Sequence, residues 1–331
     1  MTRISLLALV ASAGLASFVT AQQPATVPAT PAQTQPAKAA KTPLYDEKAD
    51  AKEQIAAALK KAKKENRRVM IQWGFNTCSW CQMMHKTFNT DRAIAKELMY
   101  EYDLVHIDAG AKGKNMELAA SYGADVKKHG FPYLTVLDAD GKPLANQETA
   151  SLEIKQANGE SVVGDGAGHD PAKLLAFMKT NEAKPRIADS VLADARAQAK
   201  AEGKKIFLHF GAPWCGWCHK LEDWMAQPQV AAIMAKDFLD VKIDQDRMTG
   251  GKELQAKYNK KPSGIPWIAI IDPATGDAIV NSDAPDAGNI GFPAEPAEIA
   301  HFVTMLQATK KNMSDSDIAA LKTSLEDGRK H

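Results

Sequence analysis

The sequence predicts an α/β chain built as two tandem copies of one fold, and three observations carry that expectation. A Cys-x-x-Cys pair behind an apolar stretch occurs twice, at Cys78/Cys81 and at Cys215/Cys218. Landmarks around the pairs keep register. Cys78 precedes Asp108 by 30 residues and Cys215 precedes Asp244 by 29, while Pro132 and Pro266 follow their first cysteines by 54 and 51. Such agreement points to a duplication. The 331 residues, 45% of them hydrophobic, suffice for two ordinary domains.

The chain opens with Met1-Thr2-Arg3, runs apolar from Ile4 to Val19 and continues Thr20-Ala21. A basic start, a short apolar core and small residues at its exit predict a signal peptide over 1–21. The alternative, a retained membrane tether, is disfavoured because the core is short for a span. Residues 22–44, rich in Pro, Ala, Thr and Gln, are expected to be a disordered linker. The first domain is assigned to 45–182 and the second to 186–312, with the boundary around Pro185. Residues 313–331 form a tail or a short helix, with a weak apolar pattern at Ile318, Leu321 and Leu325 and no assigned function. Removing 1–21 takes away Arg3 and leaves 40 basic against 40 acidic residues. That balance gives no reason to invoke nucleic acid or an acidic lipid surface. No later stretch is apolar enough to cross a membrane, so no stable span is expected after cleavage.

In the first domain, Asp46 to Glu65 reads as an amphipathic helix with Ile55, Ala58, Leu59 and Ala62 on one face. Arg68 to Gly74 is a strand leading into the cysteines, Cys78 to Phe88 opens a helix, and a further helix runs from Asp91 to Met99. Strands follow at Leu104 to Asp108 and Gly130 to Leu137, with a helix at Met116 to Tyr122 between them. Asp138 to Lys142 is a hairpin turn signal, and about 142–169 reads as a polar insertion. Asp170-Pro171 supplies a cap and a first helical residue for the closing helix. The second domain repeats this order. Ser190 is expected to cap a helix to about Glu202; the strands are 205–211, Phe238 to Asp244 and Gly264 to Ile271. Helices run from Lys252 to Tyr258 and from about Pro296 to Lys310.

The cysteine spacing carries the chemistry. A thiol at a strand-to-helix junction lies over free backbone N–H groups that favour the thiolate, and a second thiol one turn on can attack a mixed disulfide at the first. All four cysteines of the chain lie in these pairs. A loop that short restricts the unfolded chain little, which argues against purely structural cross-links. A four-cysteine zinc site is disfavoured because 133 residues lie between Cys81 and Cys215. Two other readings stay open: a non-catalytic module that binds a partner with its pairs oxidised, and a chaperone taking a soft metal on the thiolates. Of the tryptophans, Trp73 and Trp224 read as core, and Trp80, Trp217 and Trp267 as better surface candidates. His85 and His219 read as solvent-facing helix positions.

Trp214-Cys215-Gly216-Trp217-Cys218 behind an apolar strand resembles the active-site signature of the thioredoxin superfamily, and Thr77-Cys78-Ser79-Trp80-Cys81 is a divergent copy. The resemblance covers most of 45–312. It implies two thioredoxin-like folds, each a central mixed sheet flanked by helices. Gly264-Ile265-Pro266 resembles the family's cis-proline segment, and Phe131-Pro132 stands in its place in the first repeat. The resemblance implies that Pro266, Ile265, Trp214 and Trp217, with Pro132, Phe131 and Trp80, contact an extended substrate. It also implies that Cys215 attacks as thiolate and Cys218 resolves, with Cys78 and Cys81 acting likewise. The expected activity is an exported, periplasmic (or secreted) protein-disulfide reductase needing no organic cofactor and no metal. Its partners would be protein thiols or disulfides and a redox partner. The sequence departs from the family between the cysteines, where proline is replaced by Ser79-Trp80 and Gly216-Trp217. It departs again six residues earlier, where the family's buried acid is replaced by Gln72 and His209. Imidazole can accept and return a proton near neutral pH and an amide cannot, so His209 is the candidate proton relay.

Overall fold

The computed structural model describes residues 43–110, 113–261, 263–285 and 287–328. The expected signal peptide and all of the expected linker except residues 43–44 lie outside the described residues.

The first domain runs α1 (Ala51–Glu65), β1 (Arg68–Gly74), α2 (Ser79–Thr90), α3 (Arg92–Glu101), β2 (Tyr102–Asp108), α4 (Met116–Ser121), α5 (Val126–His129), β3 (Tyr133–Leu137), β4 (Pro143–Glu148) and α6 (Pro171–Thr180). The second begins with α7 (Ala188–Glu202), β5 (Lys205–Gly211), α8 (Gly216–Met225), α9 (Pro228–Met234) and β6 (Phe238–Asp244). It continues with α10 (Gly251–Tyr258), β7 (Trp267–Ile271), β8 (Ala278–Asn281), a two-residue pair β9 (Asp283–Ala284) and β10 (Gly288–Asn289), α11 (Pro296–Thr309) and α12 (Asp315–Gly328). The sheets are copies: β2-β1-β3-β4 and β6-β5-β7-β8. In each, the first two strands pair parallel and the others antiparallel.

Helices cover both faces of each central strand, which is why β1 and β5 are buried on both faces, with Gln72 and His209 as the polar residues among them. Val69, Ile71 and Trp73 of β1 face α1 with Ile55, whereas Met70 faces Met84, Phe88 and Leu174. In the second domain Ile206, Leu208 and Phe210 face α7, while Phe207 packs with Leu221, Trp224 and Phe302. Local chemistry fixes the ends. Asp50 caps α1 through Lys52 and Glu53 N–H, and Asn66 closes it in the left-handed region at φ 56°. Asp170 and Pro171 start α6 as expected.

Four expectations need correction. Asp46 caps a turn at Lys48 and Ala49 rather than starting a helix; the capping carboxylate is Asp50. Ser190 lies inside α7. That helix starts after Ile187, because Ile187 bridges Thr249 and Ala188 N–H donates to Thr249 O. The insertion after Lys142 begins with an edge strand, β4, whose polar, half-exposed residues hide its pairing with β3. Trp267 is a core residue at 0% exposure, packed on Phe210 and donating to Asp283. Its strand parity puts it on the α7 face.

The C-terminal α12 buries Ile318, Leu321 and Leu325 against α8 and α9. Its approach is fixed by Asp237, whose carboxylate accepts from Lys311, Asn312 and Met313 N–H at 2.7–2.9 Å. The domains meet through the loop after β6. Arg247 makes a bidentate pair with Glu101 (3.0 and 2.7 Å) and donates to the carbonyls of Glu65 and Asn66. Beside it, Asp246 accepts from Tyr100 of the first domain and from Trp214 Nε1 of the second.

Candidate active sites

Each cysteine pair sits where β1 or β5 hands over to a helix. Cys78 and Cys215 are the N-caps of α2 and α8. Each accepts through sulfur from the N–H of the second cysteine at 3.1 Å. Both pairs are disulfide-bonded, with Cα atoms 5.2 Å apart. An attacking sulfur at this position lies on the helix's unsatisfied N–H groups, the environment that favours thiolate.

The proline segments come to the cysteines. Phe131–Pro132 and Ile265–Pro266 are cis. Cys215 Sγ lies 3.5 Å from Ile265 O, and Phe131 packs against the cluster of Cys78 and Cys81. The proline carbonyls are already satisfied, Pro132 O by Thr149 and Pro266 O by Asn289. Trp214 and Trp217 are 53% and 51% exposed beside Cys215. Trp217 stacks on Phe292 and carries the Lys220 ammonium 4.2 Å above its ring. Trp217, Ile265, Pro266 and Phe292 line one shallow cleft, whereas Trp214 turns to Asp246. Trp80 is more covered, with His169 against its ring. His219 is exposed and bonded to Pro213 O. His85, expected to face solvent, is instead half-buried against His106, with rings 5.3 Å apart.

Beneath the second cysteine the two copies diverge. Strand register makes Gln72 the counterpart of His209, and His106 the counterpart of Lys242. Counting from the cysteines makes His85 the counterpart of Glu222. In the second domain these positions carry charge: Lys242 pairs with Glu222 at 2.7 Å, and buried His209 meets Asp240 at 3.0 Å. Burial pushes the Asp240 carboxyl up, but His209, Lys64 and Lys242 outweigh it and hold the group below its usual value. In the first domain the same places are neutral. Leu104 replaces Asp240, and burial, with His85 beside it, pushes His106 down to about 4. Gln72 is anchored by donating to Cys81 O at 3.2 Å and to Tyr45 Oη at 2.8 Å. Tyr45 and Asp240 carried no motif in the sequence; counting register from the cysteines could have found Asp240.

Among the described residues there is no group of three or more His, Cys, Asp or Glu placed to hold a metal, and no helix long and apolar enough to cross a membrane.

Residues 187–273 match a family described as thioredoxin-like, and residues 55–152 match a second one described as a thioredoxin-like domain. Protein disulfide-isomerase 1 of Dictyostelium discoideum is 32% identical over 103 residues, 30% of this chain and 27% of that protein. Spermatogenesis-associated protein 20 of Homo sapiens is 35% identical over 54 residues, 16% of this chain and 7% of that protein. The chain thus spans about a quarter or less of the length of these curated relatives. Among solved structures, a disulphide isomerase from Xylella fastidiosa Temecula1 aligns with 26% identity over 43% of this chain and 98% of its own, at a TM-score of 0.35. With the two family matches falling on two copies of one sheet, each carrying a cysteine pair and a cis-proline, the chain belongs to the thioredoxin superfamily as a tandem of two thioredoxin-like domains.

Proposed function

We propose that the protein is an exported thiol–disulfide oxidoreductase that reduces protein disulfides, with Cys215 as its principal nucleophile. The observation that carries this reading is Cys215 at the start of α8, between Ile265 O and two exposed tryptophans. Reduced Cys215 attacks a substrate disulfide as thiolate, and one substrate sulfur leaves. Cys218 then attacks Cys215 Sγ, releasing the second substrate thiol and closing the protein disulfide. A redox partner must return two electrons for each turnover. Export rests on the sequence of residues 1–21, and the location proposed with it is the periplasm, with secretion as the alternative. Cys78 and Cys81 perform the same steps in the first domain.

His209 is the proton acceptor for Cys218 in this scheme. It lies on the face of β5 that carries Gly211, where an added Cβ would be 3.4 Å from Cys218 Sγ. Nε2–H donates to Asp240, which fixes the tautomer and leaves the buried Nδ1, without a hydrogen-bond partner, as the base. Asp240 lines a cleft of about 670 Å³ between the domains, through which the proton can reach water. His209→Gln should slow reduction by the second site about a hundredfold, at the low end of general-base catalysis, with its equilibrium potential nearly unchanged. An unchanged rate removes His209 from the mechanism.

Insulin reduction with a supplied reductant tests the activity itself: wild type should catalyse it and Cys215→Ser should lose most of it. In the reduced protein, brief limiting iodoacetamide should label Cys215 before Cys218, because the first thiol caps the helix and the second is buried beneath it. Equal labelling, or Cys218 first, refutes the assignment of roles.

A further inference from the structure

Tyr45 precedes Cys78 by 33 residues and lies ahead of α1, yet its ring is 0% exposed in one cluster with Cys78 and Cys81. Asn76 fastens it there. The Asn76 side-chain oxygen accepts from Tyr45 N–H, and its amide nitrogen donates to Tyr45 O, both at 2.9 Å. The hydroxyl ends beside the second sulfur. A Cβ added to Gly74 would lie 2.3 Å from Tyr45 Oη and 2.7 Å from Cys81 Sγ, so glycine leaves open a space that both atoms border, within 5 Å of each other.

Gln72 decides how the hydroxyl is used. Its amide nitrogen donates both to Tyr45 Oη and to Cys81 O. A carbonyl can only accept, so the amide presents its NH₂ here and the tyrosine oxygen is the acceptor towards it. The phenolic hydrogen remains for another acceptor. In the second domain the Cβ position of Gly211 lies instead near Cys218 and the Lys242 stem, 3.7 Å from Cε.

We propose that Tyr45 stabilises the Cys81 thiolate of the first domain by donating its O–H to Cys81 Sγ. The inference deepens the thiol–disulfide reading and rests on it. When a donor thiolate attacks Cys78 Sγ, the S–S bond breaks, its electron pair moves to Cys81 Sγ, and the donor stays joined to Cys78. In the other direction the Cys81 thiol gives its proton to water, its thiolate attacks Cys78 Sγ, and the partner leaves as thiolate. The phenol keeps its proton throughout. Burial pushes its ionisation well above the usual value; the Gln72 bond opposes that rise and Asp108 adds to it. The other titratable groups facing it are Asp108 and His106 from β2, and Cys78 with His85 from α2. Both histidines are shifted down by burial, so neither brings a cation to the sulfur at neutral pH.

The test uses the full chain with Cys78, Cys215 and Cys218 changed to serine, leaving Cys81 as the single thiol, and follows its ¹³Cβ shift against pH. Tyr45→Phe keeps the ring and should raise the Cys81 midpoint by about one pH unit, a tenfold loss of thiolate, as expected for a charge-assisted hydrogen bond. Difluorotyrosine at position 45, a stronger donor, should lower it. In the Cys215→Ser/Cys218→Ser protein, Tyr45→Phe should also slow release of a mixed disulfide at Cys78 about threefold, the tenfold loss of thiolate being partly offset by the greater nucleophilicity of a more basic one. A midpoint that neither substitution moves overturns the proposal. So does a Cys81 that stays a thiol at every pH where the protein is folded, or a shift produced by His106→Phe and not by Tyr45→Phe. The titration needs no exchange activity. A wild type inactive on disulfides would remove the functional reading while leaving this one to be decided.

Discussion

Changing Cys215 and Cys218 together to serine is expected to remove most of the protein's disulfide-reducing rate, whereas Cys78→Ser/Cys81→Ser should leave most of it. The difference should be about tenfold or more, because a base at the resolving thiol contributes more than a neutral donor can. The two domains share a sheet, a helix start and a cis-proline, so those features cannot separate their rates. What separates them lies under the second cysteine. Site two has His209 on Asp240 and Lys242 on Glu222; site one has Gln72, Leu104, His106 and His85. Ionising a buried thiol without a base to take its proton is slow, and an amide cannot be that base. Insulin reduction by the two double variants at equal concentration decides the matter. Equal rates would show that the substitutions beneath the cysteines carry no kinetic weight.

Phe302→Ala should destabilise the second domain by about 3–5 kcal/mol, the range for removing a large aromatic side chain from a packed core. Phe302 of α11 is fully buried and meets Phe207 of β5 and Trp224 of α8 edge-on, at 6.1 and 5.7 Å. It therefore joins the strand before the cysteines, the helix after them and the layer to which α12 also contributes. The loss should appear in urea unfolding as an earlier transition for the second domain, with exchange by Cys78/Cys81 retained. Phe302→Leu should cost less, since much of the volume remains. A loss below about 1 kcal/mol for the alanine variant would mean that the core closes over the gap and that this contact does not hold α8 in place.

Much of this was legible in the sequence, because a few residues determine it. Two thiols three residues apart, a proline fifty-odd residues later and apolar strands at matching intervals can be satisfied by few chain paths. Trp267 differs from its sequence expectation for a physical reason: standing beside Pro266 says nothing about which face of β7 it takes, and pairing with Phe210 puts it inside. The edge strands are hard to read from sequence for different reasons: β4 is mostly polar, and β8 is only four residues long. Tyr45 could not be foreseen, since its place depends on Asn76 and Gly74, far along the chain. The swap of Lys242–Glu222 for His106–His85 was readable in principle by carrying the repeat's register past the cysteines.

On the proposed function, the contact made by Arg247 and Asp246 bears on how two exchange sites would meet one substrate. From Pro43 onward the chain forms a single compact unit, and the Arg247 guanidinium bonds across from the second domain to the first. A tethered pair offers its second site at an effective concentration set by linker length, forgiving of the spacing between targets. A clamped pair offers it all or nothing. A substrate whose two disulfides match the fixed separation gains the full avidity, and one that does not match gains none. In the proposed reading, selectivity for substrates with two disulfides would come from a spacing held in the fold, to which Arg247 contributes.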